Sequence, residues 1–331
     1  MRTLGTHGPV VSPIGLGCMG MSDLYGPADD AESVATIRAA LDAGVTLLDT
    51  GDYYGMGHNE LLIRQALVGR NRDNVVISVK CGALRDVKGN WLGIDGRPAA
   101  VKNFLAYSLR RLGASWIDIY RLGRVDPAVP IEDTVGAMAD MVQAGHVRHI
   151  GLSEAGSATL RRAQAVHPIS DVQIEYSLIS RGIERQLLPT CRELGVGITA
   201  YGVLSRGLIS GHWSKERATA PNDFRSHGPR FSAENLDHNL RLVDALRQIA
   251  DSLNATVAQV AIAWVLSRGE DIVPLVGARR RERLTEALGA LTVRLTQDEI
   301  DRIERAVPPN AAAGARYAPA LMATLDSEAN P

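Results

Sequence analysis

Along this chain, short apolar, β-branched runs alternate with longer segments of helical spacing. The predicted strands are V-S-P-I-G-L-G (11–17), V-T-L-L-D (45–49), V-V-I-S-V-K (75–80) and W-I-D-I-Y-R-L (116–122). V-R-H-I-G-L (147–152), V-Q-I-E-Y (172–176), G-I-T-A-Y (197–201) and D-I-V-P-L-V (271–276) follow. Helical patterns fill 30–43, 58–69, 98–112, 131–144, 156–166, 182–194, 235–252, 256–268, 280–289 and 297–306. Their ends carry boundary signals: Asp29 or Asp30 as an N-cap, Gly44 past the first helix, Pro98 in a first turn and Gly113 at its end. Residues 1–11 read as a hairpin turning at Gly5–Gly8, and the Ala/Pro-rich stretch from about 308 to 331 as a coil tail.

A strand recurs roughly every 25–35 residues, the length of a right-handed βαβ unit. Eight such units close into a (β/α)8 TIM barrel, an α/β fold, here with an N-terminal β-hairpin and extra C-terminal helices. An open doubly wound sheet is the alternative, since G-L-G-C-M-G (15–20) matches G-x-G-x-x-G. No helix follows that match at once, because S-D-L-Y-G-P intervenes, and no acidic residue ends a following strand in the expected frame other than Asp49, which is far too distant. The barrel is therefore the expectation, as a single domain over 1–331.

Composition narrows the class. Hydrophobic content of 45% suffices for a core, and a formal net charge of −1 with interspersed signs suggests neither a nucleic-acid nor a membrane surface. No apolar run approaches ~18 residues, and M-R-T-L-G-T-H-G has no signal core, so a cytoplasmic location is expected. Cys18, Cys81 and Cys191 are widely spaced, which suggests neither a disulfide framework nor a metal site.

All C-terminal strand ends of a barrel face one site. Those ends carry Gly17-Cys18-Met19, Asp49 with Tyr53 and Tyr54, Lys80, Gly123-Arg124, Ser153-Glu154, Gln173, Tyr201 and Gly277-Ala278-Arg279. A Tyr beside a Lys held by an Asp is a proton donor suited to a carbonyl oxygen, the cation lowering the phenol from about 10. Alone, Asp49 reads as a turn residue and Lys80 as a surface cation. Tyr53 reads as packing or pocket wall, and His58 as a helix-start residue. Trp91, in K-G-N-W-L-G-I-D-G, walls a pocket or packs locally, as does Trp213 in the irregular stretch 205–234, which is expected to fold over a cofactor.

These motifs together resemble the aldo-keto reductase family, nearest its bacterial branch. D-T-G-D-Y-Y-G-M-G-H-N-E (49–60) resembles the family's D-T-A-x-x-Y-G-x-x-N-E, and I-D-I-Y-R-L-G-R-V-D-P (117–127) its I-D-L-Y-x-L-H-R-x-D-P. H-I-G-L-S-E (149–154), V-Q-I-E-Y-S (172–177), I-T-A-Y-G-V-L-S-R-G-L-I-S-G (198–211) and I-V-P-L-V-G-A-R-R (272–280) resemble further family motifs in order.

The resemblance implies NADPH/NADP+ lying across the barrel mouth and a small-molecule carbonyl substrate reduced by hydride transfer. Tyr54 matches the family's acid, Lys80 its partner and Asp49 the anchor of that Lys. Gly17, Cys18, Met19 and Asp49 fall at the cofactor end. Ser153 and Gln173 match residues that hold the carboxamide, with Glu154 where the family has Asn, and Tyr201 matches the ring that stacks on the nicotinamide. Gly202, Leu204 and Arg206 match the pyrophosphate loop. Gly277, Ala278, Arg279 and Arg283 match the 2′-phosphate cradle, and Glu286 with Ala287 the adenine neighbours. Arg280 and Arg281 add positive charge favouring NADPH over NADH. Tyr53, Trp91 and Arg124 are implied as substrate-pocket residues. No pattern sets an oligomeric state.

The departure is Gly123, where the family has a catalytic His. Three readings follow: slower carbonyl reduction by Tyr54, Lys80 and Asp49 with water or a substrate group filling the gap; a pocket enlarged for bulky ketones; or a cofactor-binding remnant without activity, against which the retained Asp49, Tyr54 and Lys80 argue. The alternative function is an NADPH-binding sensor or regulatory subunit with little turnover. Deleting one donor to a developing oxyanion costs ~3 kcal/mol, enough to slow a reaction without abolishing it.

Overall fold

The computed structural model describes residues 1–22, 24–216 and 223–329. Eight parallel strands close a barrel: β1 (Gly15–Gly17), β2 (Leu47–Gly51), β3 (Val76–Cys81), β4 (Ile117–Leu122), β5 (Val147–Ser153), β6 (Ile169–Glu175), β7 (Gly197–Tyr201) and β8 (Ile272–Gly277). Closure runs through β8 and β1, pairing Leu275 with Gly15 and Gly277 with Gly17. The (β/α)8 expectation therefore holds and the open sheet does not.

Helices α1 (Asp30–Asp42), α2 (His58–Ala66), α3 (Pro98–Leu112), α4 (Ile131–Gln143), α5 (Ser157–Val166) and α6 (Leu187–Leu194) follow β2's predecessor and its successors in turn. α7 (Ala233–Ser252) and α8 (Val257–Ser267) precede β8, and α9 (Arg281–Leu288) and α10 (Gln297–Ala306) follow it. Asp29 caps α1 by accepting from the Glu32 amide at 2.7 Å, Gly113 ends α3 at φ +64°, and Thr256 forms a capping box with Gln259 on α8. The one long predicted helix that breaks is 182–194, which is a 3₁₀ turn at Gly182–Glu184 followed by α6. Among the described residues no single helix is long and apolar enough to cross a membrane; α7 and α8 pass only as a pair bent by 86°.

The main core lies between strands and helices, as in Ile77, Val79, Ile150, Leu152, Val172 and Ile262. A second, smaller core fills the barrel's N-terminal end. There the antiparallel hairpin Arg2–Thr3 with Val10–Val11 drives Leu4 and Val11 against Leu47, Ile119, Val273 and Leu275. One end is thus plugged by apolar side chains, and the site can form only at the other.

Two stretches expected to be loop or coil are ordered. Ala83–Arg85 and Trp91–Ile94 pair as an antiparallel ribbon at the mouth. The tail beyond 308 carries α11 (Pro319–Met322) and α12 (Asp326–Ala329) and packs back on the mouth.

Candidate active site

Above the apolar plug the barrel interior turns polar. Asp49 on β2, Ser78 and Lys80 on β3, Arg121 on β4, Asp171 and Gln173 on β6 and Thr199 on β7 are all buried. Register places them side by side, Asp49 opposite Ser78 and Lys80 opposite Arg121. Gly151 on β5 makes the room: a Cβ there would lie 3.0 Å from Arg121 Nε and 3.1 Å from Asp171 Oδ1.

Asp49 is the hub. It accepts from Lys80 Nζ, from Ser78 Oγ at 3.1 Å, from Arg121 at 3.1 Å and from the Gln173 amide at 2.8 Å. Arg121 also binds Ser78 and Asp171, and Asp171 accepts from Thr199. Two cations and two carboxylates thus balance inside the barrel, the arrangement that buried charge requires. Arg121 and Asp171 were not singled out in the sequence.

Tyr54 opens the 3₁₀ turn after β2, with the Lys80 ammonium 5.1 Å from its ring centroid. The expected lowering of its phenol is not met. Burial dominates and pushes it well above its ordinary value, Tyr53 and Asp49 add to this, and Arg124 opposes. Burial likewise pushes the Lys80 ammonium down against the attraction of Asp49. Tyr54 therefore keeps its proton at neutral pH.

A cavity of about 810 Å³ runs across the mouth from this cluster to the start of α9. Asp49, Tyr53, Tyr54, Lys80, Gly123, Arg124 and Trp91 line one end. Gly17, Met19, Ser153, Gln173, Tyr201, Gly202, Leu204 and Arg206 follow, and Gly277, Ala278, Arg279, Arg283, Glu286 and Ala287 line the other. Arg280 lines that end as well, exposed, whereas Arg281 turns away onto Glu32. Arg279 is braced by the Tyr25 and Pro27 carbonyls, and Arg283 by Glu286.

Two expected cofactor residues do not line the cavity. Cys18 is buried beneath it, its thiol against the Leu16 carbonyl at 3.8 Å. Glu154, in a left-handed conformation at φ +53°, is fully buried and committed to the tail. Its carboxylate accepts from Arg316 at 2.9 and 3.0 Å, from Ser327 Oγ at 2.6 Å and from Tyr201 Oη at 2.6 Å. Burial alone would raise the Glu154 carboxyl; the Arg316 guanidinium, with Arg124 and the Ser327 hydroxyl, outweighs it and holds the group at about 2.

The tail itself is the part of the site that the sequence reading missed. Tyr317, Leu321, Thr324 and Leu325 line the cavity, and Tyr317 Oη lies 2.8 Å from Tyr201 Oη. Arg206 is fixed by Glu175 at 3.1 Å and stands over the Tyr317 ring at 4.3 Å. Of the 205–234 stretch, Phe224 and Arg225 line the cavity, Trp213 packs on Phe231, and 217–222 lies outside the described residues. His58 starts α2 and contacts Ser22 at 3.0 Å and Asp30 at 3.1 Å, away from the cavity lining.

Residues 13–308 match the profile of the Aldo/keto reductase family. The chain belongs to the aldo-keto reductase family. It is 42% identical over 319 residues, 95% of this chain and 90% of the other, to a probable aldo-keto reductase 1 of Glycine max. Among solved aldo-keto reductases it resembles a glycerol dehydrogenase from Gluconobacter oxydans, with a TM-score of 0.84 and 28% identity over 93% of this chain and 96% of that one. It also resembles an aldo/keto reductase from Klebsiella pneumoniae solved in complex with NADP and acetate, with a TM-score of 0.73 and 27% identity over 93% and 95%.

Proposed function

We propose that this chain is an NADPH-dependent carbonyl reductase, the tail and barrel acting as one unit, with Tyr54 as the general acid. The observation that carries this reading is the continuous cavity joining the Tyr54–Lys80–Asp49 cluster to Arg279, Arg280 and Arg283. A dinucleotide phosphate fits that donor set: three guanidinium groups at one end suit a 2′-phosphate. At the other end, Ser153 Oγ and the Gln173 amide offer partners for a carboxamide, and the Tyr201 ring offers a stacking face. NADPH, when bound, supplies the hydride.

The protein's own part is binding, orientation and one proton. A substrate carbonyl enters between Trp91 on the ribbon and Tyr53 and Tyr54 on the loop after β2. Tyr54 Oη holds its proton until negative charge develops on the carbonyl oxygen, an alkoxide being a much stronger base than a phenolate. Lys80, kept beside Tyr54 by Asp49, offsets the charge left on the phenol. The sensor reading is weaker, because the charged cluster and the open substrate end are both complete without an imidazole at 123.

The test is NADPH oxidation with a panel of aldehydes, ketones and quinones. Turnover with at least one carbonyl class is expected. NADPH binding with no turnover across the panel would favour the sensor.

A further inference from the structure

Gly123 stands directly after β4 at the mouth, and the side of it where a side chain would project is filled. An added Cβ would lie 3.0 Å from the Cys81 carbonyl oxygen, 3.2 Å from Tyr53 Oη and 3.5 Å from Tyr53 Cε1. By contrast, nothing stands within 4 Å of such a Cβ at Gly136, Gly182 or Gly277. A side chain at position 123 would therefore start against the Tyr53 phenol and the Cys81 carbonyl, not in open space. The Tyr53 phenol has taken the space.

Tyr53 reaches it from the neighbouring element. It sits in an αR conformation (φ −90°, ψ −4°) just ahead of the 3₁₀ turn that begins with Tyr54. The two rings meet edge to face with centroids 5.0 Å apart. Both tyrosines line the cavity, together with Lys80, Gly123 and Arg124. Arg124, anchored on the Gly123 carbonyl at 2.6 Å, faces the Tyr53 phenol. Burial keeps that phenol protonated. A neutral O–H beside the acid, fixed by ring packing rather than by a flexible chain, has the chemistry of a second donor to a carbonyl oxygen.

We propose that Tyr53 and Gly123 form a pair, in which Tyr53 Oη donates the substrate hydrogen bond that a side chain at position 123 would otherwise supply. No covalent change occurs at Tyr53; it orients the carbonyl and stabilises the developing oxyanion, while the proton transferred is that of Tyr54. This rests on the carbonyl-reductase reading.

The test compares wild type with Tyr53→Phe, Tyr53→Ala, Gly123→His and the double variant Tyr53→Ala/Gly123→His. Two quantities are read: kcat with an accepted aldehyde, and the Kd of acetate, a carboxylate oxyanion mimic, for the protein–NADP+ complex. Tyr53→Phe keeps the ring, so it should fold and bind NADP+ as wild type does. It is expected to lose about ten- to a thousandfold in kcat and to weaken acetate binding at least about tenfold. Gly123→His alone should also lose activity, because the imidazole meets Tyr53. The double variant should regain at least about tenfold over Tyr53→Ala, since the ring then has room and a donor returns. The proposal is overturned if Tyr53→Phe leaves either kcat or acetate binding at the wild-type value, or if Gly123→His improves turnover with Tyr53 in place. A wild type that turns over no carbonyl would sink the reductase reading separately, and acetate binding by Tyr53→Phe would then decide the Tyr53 assignment alone.

Discussion

Arg316, in the tail, grips the fully buried carboxylate of Glu154 at the end of β5, across 162 residues of sequence. It contacts Glu175 at 3.4 Å and Glu328 at 2.7 Å as well, so one guanidinium fastens the tail to two strand ends. Its partner Tyr317 then rests on Tyr201 and Arg206. Arg316→Ala would leave the buried Glu154 carboxylate without its paired cation, while Glu175 keeps Arg206 and Arg230; an uncompensated buried charge of that kind costs about 3–5 kcal/mol. The tail is expected to undock before the barrel unfolds. Hydrogen exchange should show lost protection over 316–329 with β2–β4 unchanged; unaltered tail protection would refute the latch.

The same contact has a pH signature. Glu154 titrates at about 2 in the folded protein against 4.5 when free. The unfolded chain binds the extra proton first, so this stabilisation is present above about pH 4.5 and lost as pH falls toward about 2. Asp52 has the opposite sign. Burial first, then Glu60, pushes it up to about 8 from 3.8, and its Oδ1 has no hydrogen-bond partner. Here the folded protein holds the proton, so stability declines as pH rises from about 4 to about 8. Asp52→Asn should remove that decline: the Tm difference between variant and wild type should grow across this window and level off above it. A constant difference would mean Asp52 is ionised throughout.

The parallel strands were legible because each is buried on both faces and reads as an apolar, β-branched run. The caps were legible because Asp29, Pro98 and Gly113 act on their own turns. What escaped notice is non-local. Arg121 sits in I-D-I-Y-R-L as one polar residue in an apolar run, and its partners Asp49 and Asp171 lie 72 and 50 residues away. Strand β6 was expected from 172, since Ser170 and Asp171 look like loop residues until Arg121 and Thr199 are placed beside them. The tail is Ala/Pro-rich and reads as coil; the available signal was the Arg316–Tyr317 pair, together with a Glu154 in need of a cation.

Asp49→Asn tests the hub. The amide would still accept hydrogen bonds, but Lys80 would lose its carboxylate and Arg121 would keep only Asp171. A loss of about 3–5 kcal/mol is expected alongside lost activity. Urea unfolding measures the first and NADPH oxidation the second. Wild-type stability in the variant would show that the barrel interior does not depend on this charge.

Cofactor preference follows from the α9 end. Arg279, Arg280 and Arg283 should favour NADPH over NADH by ~1.5–3 kcal/mol, about tenfold to a hundredfold in Kd. Arg280→Ala should narrow the ratio most, because Arg279 and Arg283 are already engaged by the protein. Fluorescence titration with both cofactors checks this, and equal dissociation constants would refute it.

The central claim is that Tyr54 delivers the proton to a carbonyl oxygen. It is tested most directly by Tyr54→Phe, with NADPH consumption and NADPH affinity measured on the same sample. Phe preserves the ring against Tyr53 and Lys80 and removes only the hydroxyl. At least about a hundredfold loss in kcat with an unchanged NADPH Kd is expected. Wild-type turnover in the Phe variant would contradict the assignment.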